Sequence, residues 1–177
     1  MCEYRRFHRG VTPLLLAILA AAGTAACERE GPGHPVPSAA QIAPYYDYAG
    51  LLDVEISGNV AHVSVTIDPA DYARGGDLWA KSFPYIFLFS PGTREAFREH
   101  PGLGGVRVMI RHPGSDIMAQ AMLERGTLTE GTWRRALNIA GRARQEGTER
   151  PGLMTDLVHF GEDHTDYQYN PDYIARR

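Results

Sequence analysis

Hydrophobic and polar positions alternate most plainly between Leu51 and Ile67. Two runs, Leu51 to Ser57 and Val60 to Ile67, flank Gly58-Asn59, and a two-residue connection opening on glycine suits a tight hairpin of the type II′ kind. Pairing Ser57 with Val60 sets Ile56 opposite Ala61, Val54 opposite Val63 and Leu52 opposite Val65, all on one face. Asp53, Glu55, His62, Ser64 and Thr66 then share the other face. A slip of one residue would turn the whole apolar set to water, so the agreement of both strands specifies the register.

Asp68-Pro69 stops the second strand and opens a short helical turn at Ala70 to Tyr72, followed by a loop at Arg74-Gly75-Gly76. Pro84 to Phe89 is continuously apolar and reads as a central strand covered on both sides. Thr93 is placed to cap a short helix running to His100. Val106, Val108 and Ile110 alternate with Arg107, Met109 and Arg111, the pattern of a half-buried strand. Two helices are expected next. Ser115 or Asp116 caps the first, to Arg125, and Thr129 caps the second, from Glu130 to Glu146, with Trp133, Ala136, Leu137 and Ala140 as its apolar stripe. Leu153 to Phe160 reads as a last strand. The sum is an α+β domain: a single mixed sheet of about five strands that starts with a β-hairpin, with helices packed on one face.

Ahead of this domain lies a different pattern. Arg5, Arg6 and Arg9 give a positive start, Val11 to Ala22 is apolar, and Gly23-Thr24-Ala25-Ala26 are small. A positive end, a short apolar core and a small-residue exit describe a secretory signal. The apolar run is well short of the roughly 20 residues that span a bilayer as a helix. Residues 1–26 are therefore expected to be a signal peptide.

The chain has two cysteines, Cys2 and Cys27. Cys2 would leave with the signal, and Cys27 follows Thr24-Ala25-Ala26 at the expected cut. This segment resembles a bacterial lipoprotein signal, in which the cysteine after small residues is lipidated and becomes the new N-terminus. Thr24 stands where that family usually carries an aliphatic residue, and Thr24-Ala25-Ala26 would also suit ordinary cleavage. A lone cysteine in an exported chain needs an explanation, and lipidation at Cys27 supplies one. The resemblance implies a palmitate-type lipid anchor in a bacterial cell-envelope membrane, facing the periplasm or the exterior. It covers the targeting segment alone.

Residues 27–40 then form a lipid-anchored flexible tether, rich in proline and glycine, reaching up to roughly 40 Å when extended. Residues 41–177 are the α+β domain. Loss of residues 1–26 removes three arginines and one glutamate, moving the net charge from −3 to −5. An acidic surface argues against nucleic acid as a partner. About 150 residues can bury a proper core without disulfides.

Candidate chemistry is sparse. His159, Glu162, Asp163, His164 and Asp166 fall within one short segment, and His159, Asp163 and His164 are candidate metal ligands. The same segment reads more simply as a solvated loop, with His159 near the sheet edge and Asp163 capping a turn. Six of the nine tyrosines sit in two segments, Tyr45, Tyr46 and Tyr48 and then Tyr167, Tyr169 and Tyr173. They would form an aromatic partner-binding patch or latch the two ends to the sheet. The segment around Arg74, Trp79 and Lys81 and the arginines of the Trp133 helix are further polar surfaces. No serine sits in a nucleophile-elbow pattern and no cofactor motif is present, so none is expected. The expectation is a membrane-tethered, non-enzymatic domain that binds an envelope protein or glycan. The alternative is a metal-dependent or acid–base hydrolase using the His159–Asp166 segment.

Overall fold

The computed structural model describes residues 33–114 and 116–174. The signal segment, Cys27, the first part of the tether and Ser115 lie outside the described residues. Strands β1 (Leu51–Ser57) and β2 (Val60–Thr66) form the hairpin in the expected register, with Ser57 opposite Val60 and Leu52 opposite Val65. Gly58 takes φ 60, a left-handed conformation that glycine adopts without a Cβ penalty. The turn is itself tied down, because the Gly104 N–H donates to the Asn59 carbonyl at 2.7 Å.

A short helix α1 (Ala39–Ile42) precedes the hairpin, and α2 (Pro69–Leu88) and α3 (Pro91–Glu99) follow it. Asp68 caps α2 by accepting from the Ala70 N–H at 2.7 Å, and Pro69 occupies the first helical position, where its missing N–H costs nothing. The helix breaks at Gly76, which has φ 55 and ψ −145. Ser90, rather than Thr93, caps α3, accepting from the Thr93 N–H at 3.1 Å. Strands β3 (Gly105–Arg111) and β4 (Ile117–Glu124) make a second hairpin. Helices α4 (Glu130–Glu146) and α5 (Pro151–Glu162) then lead to β5 (Asp166–Tyr169). Thr129 caps α4 as expected.

The sheet order is β1-β2-β3-β4-β5, with β2 and β3 parallel and every other neighbouring pair antiparallel. The fold is α+β, a mixed sheet with helices against one face. Four expected elements differ. The short turn at Ala70 to Tyr72 and the loop at Arg74-Gly75-Gly76 are together the first part of α2, which kinks at Gly76. Pro84 to Leu88 belongs to α2, with Phe89 as its C-cap, and not to a central strand. Residues 82–90 are all buried because α2 packs against β3, β4, α4 and α5, and a helix enclosed on every side is apolar all round. Leu153 to Phe160 belongs to α5, whose buried Met154, Leu157, Val158 and Gly161 recur at helical spacing. The helix expected up to Arg125 is instead β4, with Ala119, Ala121 and Leu123 facing the core.

The core lies between the inner sheet face and the helices. Val63, Val65, Val108 and Ile110 from the sheet meet Tyr85, Leu88 and Phe89 of α2 and Leu157 of α5, all essentially inaccessible to water.

Candidate functional site

The two tyrosine segments attach to different parts of the domain. In the first, Tyr45 Oη lies 3.2 Å from His100 Nε2, and the Tyr48 ring stands edge-on to Phe83 and Phe87. Tyr46 Oη lies 3.1 Å from Thr93 Oγ1, and Thr93 gives its proton to the Phe87 carbonyl at 2.7 Å, so Tyr46 is the donor. Burial pushes the Tyr46 phenol up to about 12.

In the second segment Tyr169 and Tyr85 join their hydroxyls at 2.7 Å, and burial holds both phenols well above their ordinary range. Lys81 Nζ lies 5.3 Å from the centre of the Tyr169 ring, which gives the lysine a structural place. Tyr173 donates to Asp116 Oδ2 at 2.6 Å and stacks on His112. Tyr167 is the member turned to water, 47 % exposed. Five of the six tyrosines are thus engaged in contacts within the domain, and Tyr167 is the exposed one.

The His159–Asp166 segment spans the end of α5 and the start of β5. His159 is exposed on the helix, and Asp163 caps its C-terminus. The His164 ring stacks on Phe160 with centroids 4.2 Å apart, and its Nδ1 lies 2.8 Å from the Phe160 carbonyl. Asp163, His164 and Asp166 share a shallow groove of about 280 Å³ with Glu124, and His159 is not among its lining residues. Among the described residues no three His, Cys, Asp or Glu side chains are grouped to hold a metal ion.

The larger surface is the sheet face that no helix covers. Strand register aligns two rows across all five strands: Glu55, His62, Arg107, Met122 and Asp166, and beside it Asp53, Ser64, Met109, Gln120 and Gln168. Acids stand on the outer strands and a histidine and arginine on the inner ones. Arg107 Nη2 reaches Met122 Sδ at 3.2 Å, and Gln120 donates to Gln168 at 2.7 Å. A shallow groove of about 340 Å³ runs over this face between Leu51, Glu55, Ser64, Thr66, Met109 and Arg111. The hairpin pattern already assigned the polar residues of β1 and β2 to this face. The contribution of β4 and β5 was hidden because β4 reads as a helix.

Two further grooves lie on the helical side. One of about 530 Å³ runs between α3 and α4, past Arg94, Arg98, Arg125 and Trp133. Its charges are largely satisfied internally: Arg94 pairs with both Glu130 oxygens at 2.7 Å, Arg98 pairs with Glu95 and Glu99, and Arg125 donates to the carbonyls of Phe97, His100 and Leu103. The other, about 380 Å³, is aromatic, with Tyr48, Trp79, Phe83 and Phe87 in its wall and Arg144 at its side. Trp79 packs on Phe83, and its Nε1 is buried without a hydrogen-bond partner among the described residues.

No described helix is long and apolar enough to cross a membrane. Comparison of the chain with protein-family models, curated proteins and solved structures finds no match.

Proposed function

We propose that this chain is an extracytoplasmic lipoprotein whose folded domain, tethered through Cys27, binds another component of the cell envelope, a protein or glycan, through the open face of its sheet. The observation that carries the reading is the pair of polar rows crossing all five strands on a face without helices. Such a face offers hydrogen-bond donors and acceptors at the regular spacing of a pleated surface, with methionines between them as adaptable apolar contacts. The tyrosine segments, engaged mostly in contacts within the domain, come second to this surface.

The test places a photo-reactive amino acid at Ser64 or Met109 in the full-length chain, and at Thr155 on α5 as a control. Capture of one envelope component from the sheet positions and not from Thr155 is the expected result. Equal capture from both sides, or from neither, would sink the proposal. Membrane fractionation of wild type against Cys27→Ala tests the tether separately, with the wild type expected in the membrane and the variant released.

A further inference from the structure

Helix α4 carries Arg134, Arg135, Arg142 and Arg144, all exposed, in a domain that is acidic as a whole. At 3.6 residues per turn, Arg134, Arg135, Asn138, Arg142 and Gln145 fall within an arc of about 100°. No acid lies in that arc. The acids of α4 are Glu130 and Glu146, and each is engaged, Glu130 with Arg94 and Glu146 with Arg150, both at 2.7 Å. Among the described residues, Arg134 and Arg142 have no ion pair or hydrogen bond. Arg135 lies over the Phe160 ring, 5.4 Å from its centre. An unneutralised cationic stripe costs self-repulsion, and that cost is recovered when an anionic surface lies against it.

The course of the chain says which surface. His34 and Pro35 lie directly on the turn after α3, where a Cβ on Gly102 would stand 2.2 Å from the Pro35 carbonyl oxygen. That turn adjoins the N-terminal end of α4, where Phe97 of α3 meets Trp133 with ring centres 6.4 Å apart and Arg94 pairs with Glu130. Five residues lie between Cys27 and Gly33, six Cα steps with a maximum reach of about 20 Å. A lipid on Cys27 would therefore keep this end of the domain close to the bilayer.

We infer that the arginine stripe of α4 is a membrane-contact surface that binds anionic phospholipid headgroups. This rests on the lipid-anchor reading and adds an orientation to it: α4 lies toward the bilayer, and the open sheet face, on the far side of the domain, is turned away from it toward a partner. The anchor supplies residence on the membrane. The stripe supplies a preferred pose.

The experiment uses the chain lacking residues 1–26 and carrying Cys27→Ser. Among the described residues the buried core lies between Ile42 and Ile174, all of which this form keeps. It is sedimented with vesicles of phosphatidylglycerol mixed with phosphatidylcholine, and with phosphatidylcholine alone. Binding to the anionic vesicles is expected, lost when salt is raised from about 0.1 M to about 1 M, where the screening length falls from about 10 Å to about 3 Å. Each arginine near an anionic surface is worth about fivefold, so Arg134→Gln with Arg142→Gln should weaken partitioning about 25-fold. A control removing the same charge at Arg98 and Arg150, both already paired with glutamate, should change it less than about twofold. Circular dichroism confirms that both variants fold. Absence of wild-type binding, equal binding to neutral vesicles, or indifference to the Arg134/Arg142 change overturns the inference. Mass spectrometry of the mature N-terminus reports the anchor independently, so either claim can fail without the other.

Discussion

Gly161 of α5 rests against the ring of Tyr85 in α2 so closely that a Cβ at 161 would lie 2.4 Å from the ring carbons Cδ1 and Cε1. Two enclosed helices are brought into contact by the one residue type that adds no bulk there, and Tyr85 is itself inaccessible to water.

Gly161→Ala should therefore destabilise the domain. Alanine favours a helix over glycine by about 1 kcal/mol, but overpacking a tight interior costs about 1–3 kcal/mol. A net loss of up to about 2 kcal/mol in chemical denaturation is expected. Exposed Gly152, with nothing near its Cβ position, is the control, and Gly152→Ala should be neutral or slightly stabilising. Equal behaviour of the two would remove close approach as the role of Gly161.

Stability should fall in alkali. Tyr46 ionises near 10.0 when unfolded and at about 12 when folded, because burial disfavours the phenolate. The folded state therefore holds the proton more tightly, and the contribution is complete below pH 10 and lost as pH climbs toward 12. Tyr85 and Tyr169 shift in the same direction for the same reason. Urea midpoints are expected to fall only above about pH 10, with tyrosinate absorbance rising together with unfolding. Ionisation of every tyrosine in a chain that stays folded would contradict the burial argument.

Tyr169→Phe deletes one half of the hydroxyl pair and leaves the Tyr85 hydroxyl without that partner. A loss of about 1–3 kcal/mol is expected, the cost of stranding a buried polar group. Tyr167→Phe, at an exposed position, should change little. Thermal melts of the two variants distinguish the latch from a surface tyrosine.

Arg125 fastens the end of α3 and the turn after it by donating to three carbonyls, and burial lowers its tendency to hold the proton. Lysine cannot imitate a planar fork with several donors. Arg125→Lys should therefore recover little of the stability lost in Arg125→Ala, a loss of about 1.5 kcal/mol for charge-assisted bonds near a surface. Full rescue by lysine would show that charge alone matters.

A divalent metal offers a direct check on the His159–Asp166 segment. With His159 exposed on α5 and His164 turned onto Phe160, added Zn²⁺ should leave Tm unchanged, since only binding to the folded state raises it. A rise abolished by His164→Ala would revive the hydrolase alternative.

The parts of the fold legible in the sequence were those where two signals agreed. In the first hairpin, alternation in both strands and a glycine turn point to one register. In α4, a threonine cap and an apolar stripe mark the same helix. Single signals misled. Pro84 to Phe89 is a run whose periodicity is erased by burial on all sides, and Met118 to Met122 are good helix formers that strand pairing overrides. The polar face of β1 and β2 was legible, but its extension through Arg107, Gln120 and Gln168 depends on pairings between distant segments. The latch role of Tyr46 and Tyr169 was one of two readings of the same spacing, because their partners Thr93 and Tyr85 stand far away in sequence.

The parallel pairing of β2 with β3 has a bearing on how the molecule is made. Each hairpin closes locally, but β2 and β3 join only after the whole stretch from Ile67 to Gly104 has been laid across the sheet. Non-local pairings of this kind form late and slowly. A chain delivered N-terminus first would expose one edge of β2, with Ala61, Val63 and Val65 uncovered, until α2, α3 and β3 arrive. That interval is when the chain is most open to aggregation or to a chaperone's grip.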